Sequence, residues 1–323
     1  MFSFLILLVL GLCHSCTLTR VGDDISGYAV SYTSHDLLAA ATPSTGKVRS
    51  YSLKNNAWEQ SGQVTGSIPN GQHIDTTPGA MCVVSTEEGV VRVFVKANHS
   101  WHQHGEPIDT FASKGSPICR IIDKDTILFG DALFSTGLYE SGRVALFEFF
   151  QGTWVQLGAD IQGLSTGTQL GRDIALVSAS PVTVSIACSN GVRTYQYKDL
   201  SWNLLGAPLL MRQVLSVSTH RGLLAVSNAT SALIFKDSKR VGSALHFPHS
   251  KRSVAALGDG VFALGYTGGA RFYRFHGDWL LKNVVQIQGD SQHTVTLSQQ
   301  NNDECAIGVY SLGIVRTYSC CFA

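Results

Sequence analysis

One pattern recurs along this chain and decides most of what it can fold into. A glycine opens a segment rich in Val, Ile, Leu, Tyr and Phe, and a tryptophan follows the segment's aromatic by six or seven residues. Gly46, Tyr51 and Trp58 form one copy; Gly89, Phe94 and Trp101 the next; then Gly142, Phe147 and Trp154; Gly191, Tyr195 and Trp202; and Gly269, Tyr273 and Trp279. All five tryptophans of the chain belong to the pattern. A further glycine usually stands four residues after the tryptophan, at Gly62, Gly105, Gly158 and Gly206. Two reduced copies complete the series: Ser231–Phe235, with Gly242 in the later glycine position but no tryptophan, and Gly313–Tyr318.

Copy starts are 38 to 53 residues apart, a period that fits a propeller blade better than a short solenoid repeat. Between copies lie further short apolar runs punctuated by Gly, Ser and Asn. Arg172–Ser178 and Val182–Cys188 precede one copy, Gln213–Ser218 and Leu223–Ser227 the next. Runs of this length and composition read as strands. Four strands per repeat predict an all-β, seven-bladed β-propeller of four-stranded antiparallel blades.

The last copy lacks a fourth strand, and the beginning of the chain carries a spare one. Trp154–Gly163 reads WVQLGADIQG and Leu18–Gly27 reads LTRVGDDISG, so Gly22, Asp24, Ile25 and Gly27 fall on Gly158, Asp160, Ile161 and Gly163. The N-terminal strand is therefore expected to complete the last blade and close the ring, which removes exposed strand edges. By the same equivalence Cys320 and Cys16 take the hairpin positions of Leu53 and Asn56, within disulfide reach. A Cys16–Cys320 disulfide is expected, with Cys321 as the alternative partner. Cys82, Cys119, Cys188 and Cys305 read as small buried residues of inner strands.

Met1–Leu12 is almost wholly apolar, too short to span a bilayer and suited to a signal peptide ending near Ser15. Residues 1–15 are thus expected to be a signal peptide and 16–323 one propeller domain, secreted and extracellular. Charged residues make up 15% of the chain, and the net charge is +1. That balance gives no basic stripe for nucleic acid. No apolar run beyond the first is long enough for a transmembrane segment, and a monomer is expected.

The copies, above all Gly142–Leu176, resemble the FG-GAP-type propeller repeat, in which a G-x-V-x-x-Y … W-x-x-x-G-x-x-I-x-G pattern recurs. The tyrosine-to-tryptophan spacing is also similar to Kelch repeats, without their Gly-Gly doublet at the matching positions. The resemblance covers nearly all of residues 17–319 and implies an interaction or adhesion role. The integrin-like calcium loops of some FG-GAP blades are missing. Asp123, Asp125 and Asp131 are the nearest acidic cluster and lack the spacing, so no metal is carried over.

No nucleophile elbow, zinc-helix motif or phosphate loop appears, and no cofactor is implied. A non-enzymatic protein that binds an extracellular protein or glycan is the leading expectation. A propeller-type glycan-active hydrolase or lyase with a channel-mouth site is the alternative. Gly130–Ser141 is the longest insertion between second and third strands, and loops carry binding on rigid scaffolds. Its Asp131, Phe134, Tyr139 and Glu140 are the candidate binding residues, with the loop Pro107–Ser116 expected beside them. His102 and His104, two residues apart on a strand, would share one face, where they could bind a metal together; an exposed outer strand is the leading reading. Asn98 and Asn228 head N-glycosylation sequons in turns.

Overall fold

Each copy becomes the third strand of an antiparallel sheet. A computed structural model describes residues 17–321 apart from short stretches, the longest being 111–116 and 287–294, and describes side chains mainly between residues 45 and 284. The expected signal peptide and Cys16, hence the Cys16–Cys320 pairing, lie outside the described residues.

Among the described residues the strands form seven antiparallel sheets. The first holds Ala29–Ser34, Leu37–Thr42, Lys47–Lys54 and Ala57–Gln63; the second Gly71–Thr77, Ala80–Ser85, Val90–Ala97 and Ser100–Gln103. The third holds Ile118–Asp123, Thr126–Asp131, Arg143–Phe150 and Thr153–Gln156; the fourth Ile174–Ala179, Val182–Cys188, Gly191–Lys198 and Ser201–Leu204. Ser216–His220, Leu223–Ser227, Ser231–Lys236 and Lys239–Arg240 make the fifth, and Val254–Gly258, Val261–Tyr266, Gly269–Phe275 and Trp279–Gln286 the sixth. The seventh is composite. Val295–Asn301, Glu304–Ser311 and Ile314–Cys321 are completed by Thr17–Arg20, which pairs Thr17 with Cys321 and Leu18 with Cys320, and Ile25 pairs with Val315.

The first strands of successive sheets touch one another in chain order, from Ala29–Ser34 to Val295–Asn301, and Val295–Asn301 touches Ala29–Ser34 in turn. Second strands are the most apolar. Ala80–Ser85 and Val261–Tyr266 are buried at every position. Such strands have a covered face on both sides, which is why their apolar residues run on instead of alternating.

The repeated tryptophan and glycine explain how neighbouring sheets join. Three of the tryptophans lean onto the preceding sheet, and their indole N–H groups donate to it: Trp101 to Ser50 Oγ at 2.9 Å, Trp154 to the carbonyl of His104 at 2.8 Å, Trp279 to the carbonyl of Val241 at 3.2 Å; the buried indole N–H of Trp202 has no hydrogen-bond partner. The glycine four residues past one tryptophan is the floor under the next. A Cβ at Gly62 would lie 3.0 Å from Trp101; at Gly105, 2.6 Å from Phe149 and 3.1 Å from Trp154; at Gly242, 2.7 Å from Trp279. At Gly158 the place is taken by Tyr197 and the backbone of Leu200. The fifth sheet has no tryptophan, and the glycine that would receive it, Gly206, meets nothing within 4 Å.

A polar chain links the innermost strands. Asp75 accepts the amide of Ile121 in the next sheet at 3.0 Å; Asp173 accepts the amide of Val217 in its next sheet at 2.9 Å and the hydroxyl of Ser216 at 2.7 Å. Arg120 lies between them, 2.7 Å from Asp173 and 3.8 Å from Asp75, and donates to the carbonyl of Ile174. Asp75 and Asp173 are thus each engaged with a backbone amide and with Arg120, the kind of partner a buried carboxylate needs.

Cys82 and Cys119 are buried on inner strands as expected, with one correction. Cys82 and Cys119 are not separate buried thiols; they form a disulfide with Cα atoms 6.4 Å apart, joining the second sheet to the third. The residues face each other because a second-strand position of one sheet meets a first-strand position of the next. Cys188 is free and buried.

Candidate functional site

Antiparallel order places turns between second and third strands at the same end of the sheets as the connections leading to the next sheet. A repeated backbone bond knits these two loop types together. Gln169 donates to the carbonyl of Glu140, Gln213 to that of Ser189 at 2.6 Å, and Ser250 to that of Ala229 at 2.8 Å. Gln169, Gln213 and Ser250 thus hold equivalent places in three successive connections. Between them lies a cavity of about 360 Å³ lined by Gln169, Arg172, Ser189, Gln213, His249 and Ser250, with Leu215 and Ala229.

Gln169 and Gln213 reach their places with φ of 50° and 54°. That is the left-handed region, uncommon for a residue with a Cβ. Strained backbone of this kind concentrates at sites that use it. Arg172 comes from the start of the fourth sheet and donates Nη1 to the carbonyl of Val214 at 3.2 Å. Burial pulls its guanidinium below the usual arginine range, against the charges of Cys188 and Glu140.

The insertion predicted to bind divides into a buried half and an exposed half. Asp131 is fully buried, and its carboxylate accepts the amide of Leu133 at 3.1 Å, so it shapes the turn and does not face outward. Phe134 lies beneath the guanidinium of Arg143, 3.8 Å from its ring centroid. Tyr139 and Glu140 are outward. Tyr139 is 67% exposed. Glu140 accepts from Gln169 at 2.6 Å, and hydrogen bonds from Tyr139 and Gln169 hold its carboxyl below the usual range. The insertion therefore borders the cavity through Glu140 and Gln169. Of the neighbouring loop Pro107–Ser116, residues 111–116 lie outside the described residues; Arg143 reaches across to the carbonyl of Thr110.

The remaining candidates fall elsewhere. His102 and His104 do not act together: His102 is exposed on the outer strand, while His104 bonds Asp125 at 2.8 Å and packs on Phe149 with centroids 3.9 Å apart. His104 has left the strand and belongs to the contact with the third sheet. No group of three or more potential metal ligands occurs among the described residues. Asn98 sits in an exposed turn at the opposite end of the sheets, with φ of 48°. Asn228 precedes Ala229 of the cavity lining; its Oδ1 accepts the amides of Thr230 and Ser231 at 3.0 and 2.9 Å.

Sequence reasoning missed the cavity residues Gln169, Arg172, Gln213 and His249. They come from three successive connections, and the only signal was the matching position of glutamine in two of them.

No family model matches the sequence, and no curated protein matches it significantly. Solved structures do match. Sqt1 of Saccharomyces cerevisiae superposes with a TM-score of 0.62 at 11% identity, covering 94% of this chain and 98% of that one. The chain is a β-propeller. The WD40 β-propeller domain of Doa1 gives 0.61 at 11% identity over 94% and 97% of the two chains. YCF48 bound to D1 peptide gives 0.58 at 11% identity over 94% of each. At these identities the likeness covers the fold and leaves the repeat type open. The cavity lies at one mouth of the propeller. No helix among the described residues is long and apolar enough to cross a membrane.

Proposed function

We propose that this chain is a secreted, closed, seven-bladed propeller of the FG-GAP type that works without catalysis, binding an extracellular protein or glycan through the mouth that carries the Gly130–Ser141 insertion. The observation that carries the reading is the joining of insertion and cavity by Glu140 and Gln169, which places exposed side chains around a recess on a rigid frame. The seven sheets, the contact of the last inner strand with the first, and the pairing of Thr17–Arg20 with Ile314–Cys321 support the closed ring. The Cys82–Cys119 disulfide supports an oxidising compartment. The inner acids Asp75 and Asp173 are tied to backbone amides and Arg120, which favours a structural role for them over acid–base work.

The test is the purified full chain on a glycan array and a panel of extracellular matrix proteins. Binding is expected, lost with Tyr139→Ala at the insertion and retained with Leu200→Ser at the opposite end. Silence on both panels, or sensitivity confined to the opposite end, would overturn the reading.

A further inference from the structure

Building on that mouth-binding reading, we propose that the cavity among the connections of Gln169, Gln213 and Ser250 is a carboxylate pocket, and that the carboxylate belongs to a peptide: an aspartate, a glutamate or a chain terminus. The cavity presents one cation. Arg172 is anchored through Nη1 on Val214, which orients the guanidinium, and no described carboxylate lies within ion-pair distance of it. Gln213 and His249 add exposed polar ends from the next two connections. Glu140, the nearest acid, is already held by Gln169 and Tyr139 on the insertion side. Planar guanidinium and amide donors around a small recess match the two oxygens of a carboxylate.

Charge narrows the choice. A phosphate monoester carries more negative charge than one arginine offsets and would leave the excess facing Glu140. The rim narrows it further. Leu164 is 78% exposed, Tyr139 67% and Leu138 39%. The backbones of Tyr139 and Gly167 are hydrogen bonded, so the insertion and the connection leading to Gln169 form one edge of the recess. The exposed leucines add apolar surface beside a polar anchor, which is what a peptide's side chains cover.

The test is selection of a random dodecapeptide phage library on the immobilised full chain, followed by fluorescence anisotropy of the enriched peptides. Enrichment of an acidic residue, or a free C-terminal carboxylate, next to apolar residues is expected. Arg172→Gln should weaken binding tenfold or more, Arg172→Lys less, and replacing the peptide's carboxylate by an amide should add nothing further in Arg172→Gln. A thermal melt of each variant separates loss of the pocket from loss of the fold, and Gln213→Leu, an exposed change, should weaken the same peptides several-fold. Enriched peptides without a carboxylate, or equal binding to Arg172→Gln, would overturn the pocket while leaving mouth binding intact if Leu164→Ser still weakens them. Arg172-dependent binding of sialylated glycans with no peptide enrichment would overturn the peptide assignment. Peptides insensitive to every mouth variant would count against both this pocket and the broader reading.

Discussion

The indole N–H of Trp154 donates to the carbonyl of His104 at 2.8 Å, and the same ring lies over Gly105. The residue that marks one repeat is thus held by the repeat before it. Any side chain at Gly105 must displace Phe149 or Trp154, and its φ of 75° adds backbone strain. Gly206 has a φ of 66° but open space around it. Gly105→Ala is expected to cost about 3 kcal/mol, combining overpacking with an unfavourable φ, and Gly206→Ala about 1 kcal/mol. Urea midpoints of the two variants check the difference; equal losses would mean that the aromatic does not need the glycine.

The empty place at Gly206 can be filled. Arg240 pairs with Phe235 as Trp154 pairs with Phe149, so Arg240 holds the tryptophan position of the fifth sheet. Arg240→Trp should raise stability by about 1 kcal/mol, a burial gain reduced by partial exposure and by loss of the bond from Arg240 to Gly242. The thermal midpoint reads it, and the gain should vanish when Gly206→Leu occupies the same space.

Cys82–Cys119 closes a segment whose ends are 37 residues apart. The chain-entropy model assigns such a loop about 4 kcal/mol. The double variant Cys82→Ser, Cys119→Ser should lose about that amount, and peptide mapping without reductant should recover the crosslinked pair. Recovery of both cysteines alkylated would remove the crosslink.

His73 contributes a pH dependence. Burial, and then the charge of Arg120, lower its pKa to about 3 from 6.5. The folded protein keeps the ring neutral while the unfolded chain protonates it, so its contribution is full above pH 6.5 and falls as pH drops toward about 3. The limiting slope is about 1.4 kcal/mol per pH unit. Asp75 acts in the opposite sense: burial raises its carboxyl above 3.8 against the pull of Arg120, so its contribution is greatest below 3.8 and falls as pH rises through the folded value. Stability of wild type minus His73→Gln, measured from pH 7 to pH 4, isolates the histidine; a flat difference would place its ring in water.

How much of this could be read from the residues alone depended on whether a signal lay within one copy. The third strands were legible because glycine, aromatic and tryptophan stand close together in the chain. The N-terminal strand was legible because Gly22, Asp24, Ile25 and Gly27 repeat a fourth-strand pattern. The tryptophan–glycine contact was not, because Gly62, Gly105 and Gly242 each serve the tryptophan of the next copy; Gly242, present without a tryptophan of its own, was the clue. Cys82 and Cys119 looked like core residues because burial and crosslinking select the same strand positions. Asp131 looked available because an acidic residue at the root of an insertion has the same sequence signature whether it caps a turn or faces a ligand. The Arg120 chain was hidden for a similar reason: its acids sit at unlike positions of separate copies and meet only across inner strands.

The pairing of Thr17 with Cys321 has a mechanical side. These residues are partners at one end of their ladder, with the first described strand and the last running away from them side by side. Antiparallel bonds lie across the strands. A force that draws Thr17 and Cys321 apart therefore loads one pair at a time and peels the seventh sheet open like a zip. A force applied between two inner strands of other sheets must shear several ladders together, so resistance to pulling depends on where the molecule is gripped.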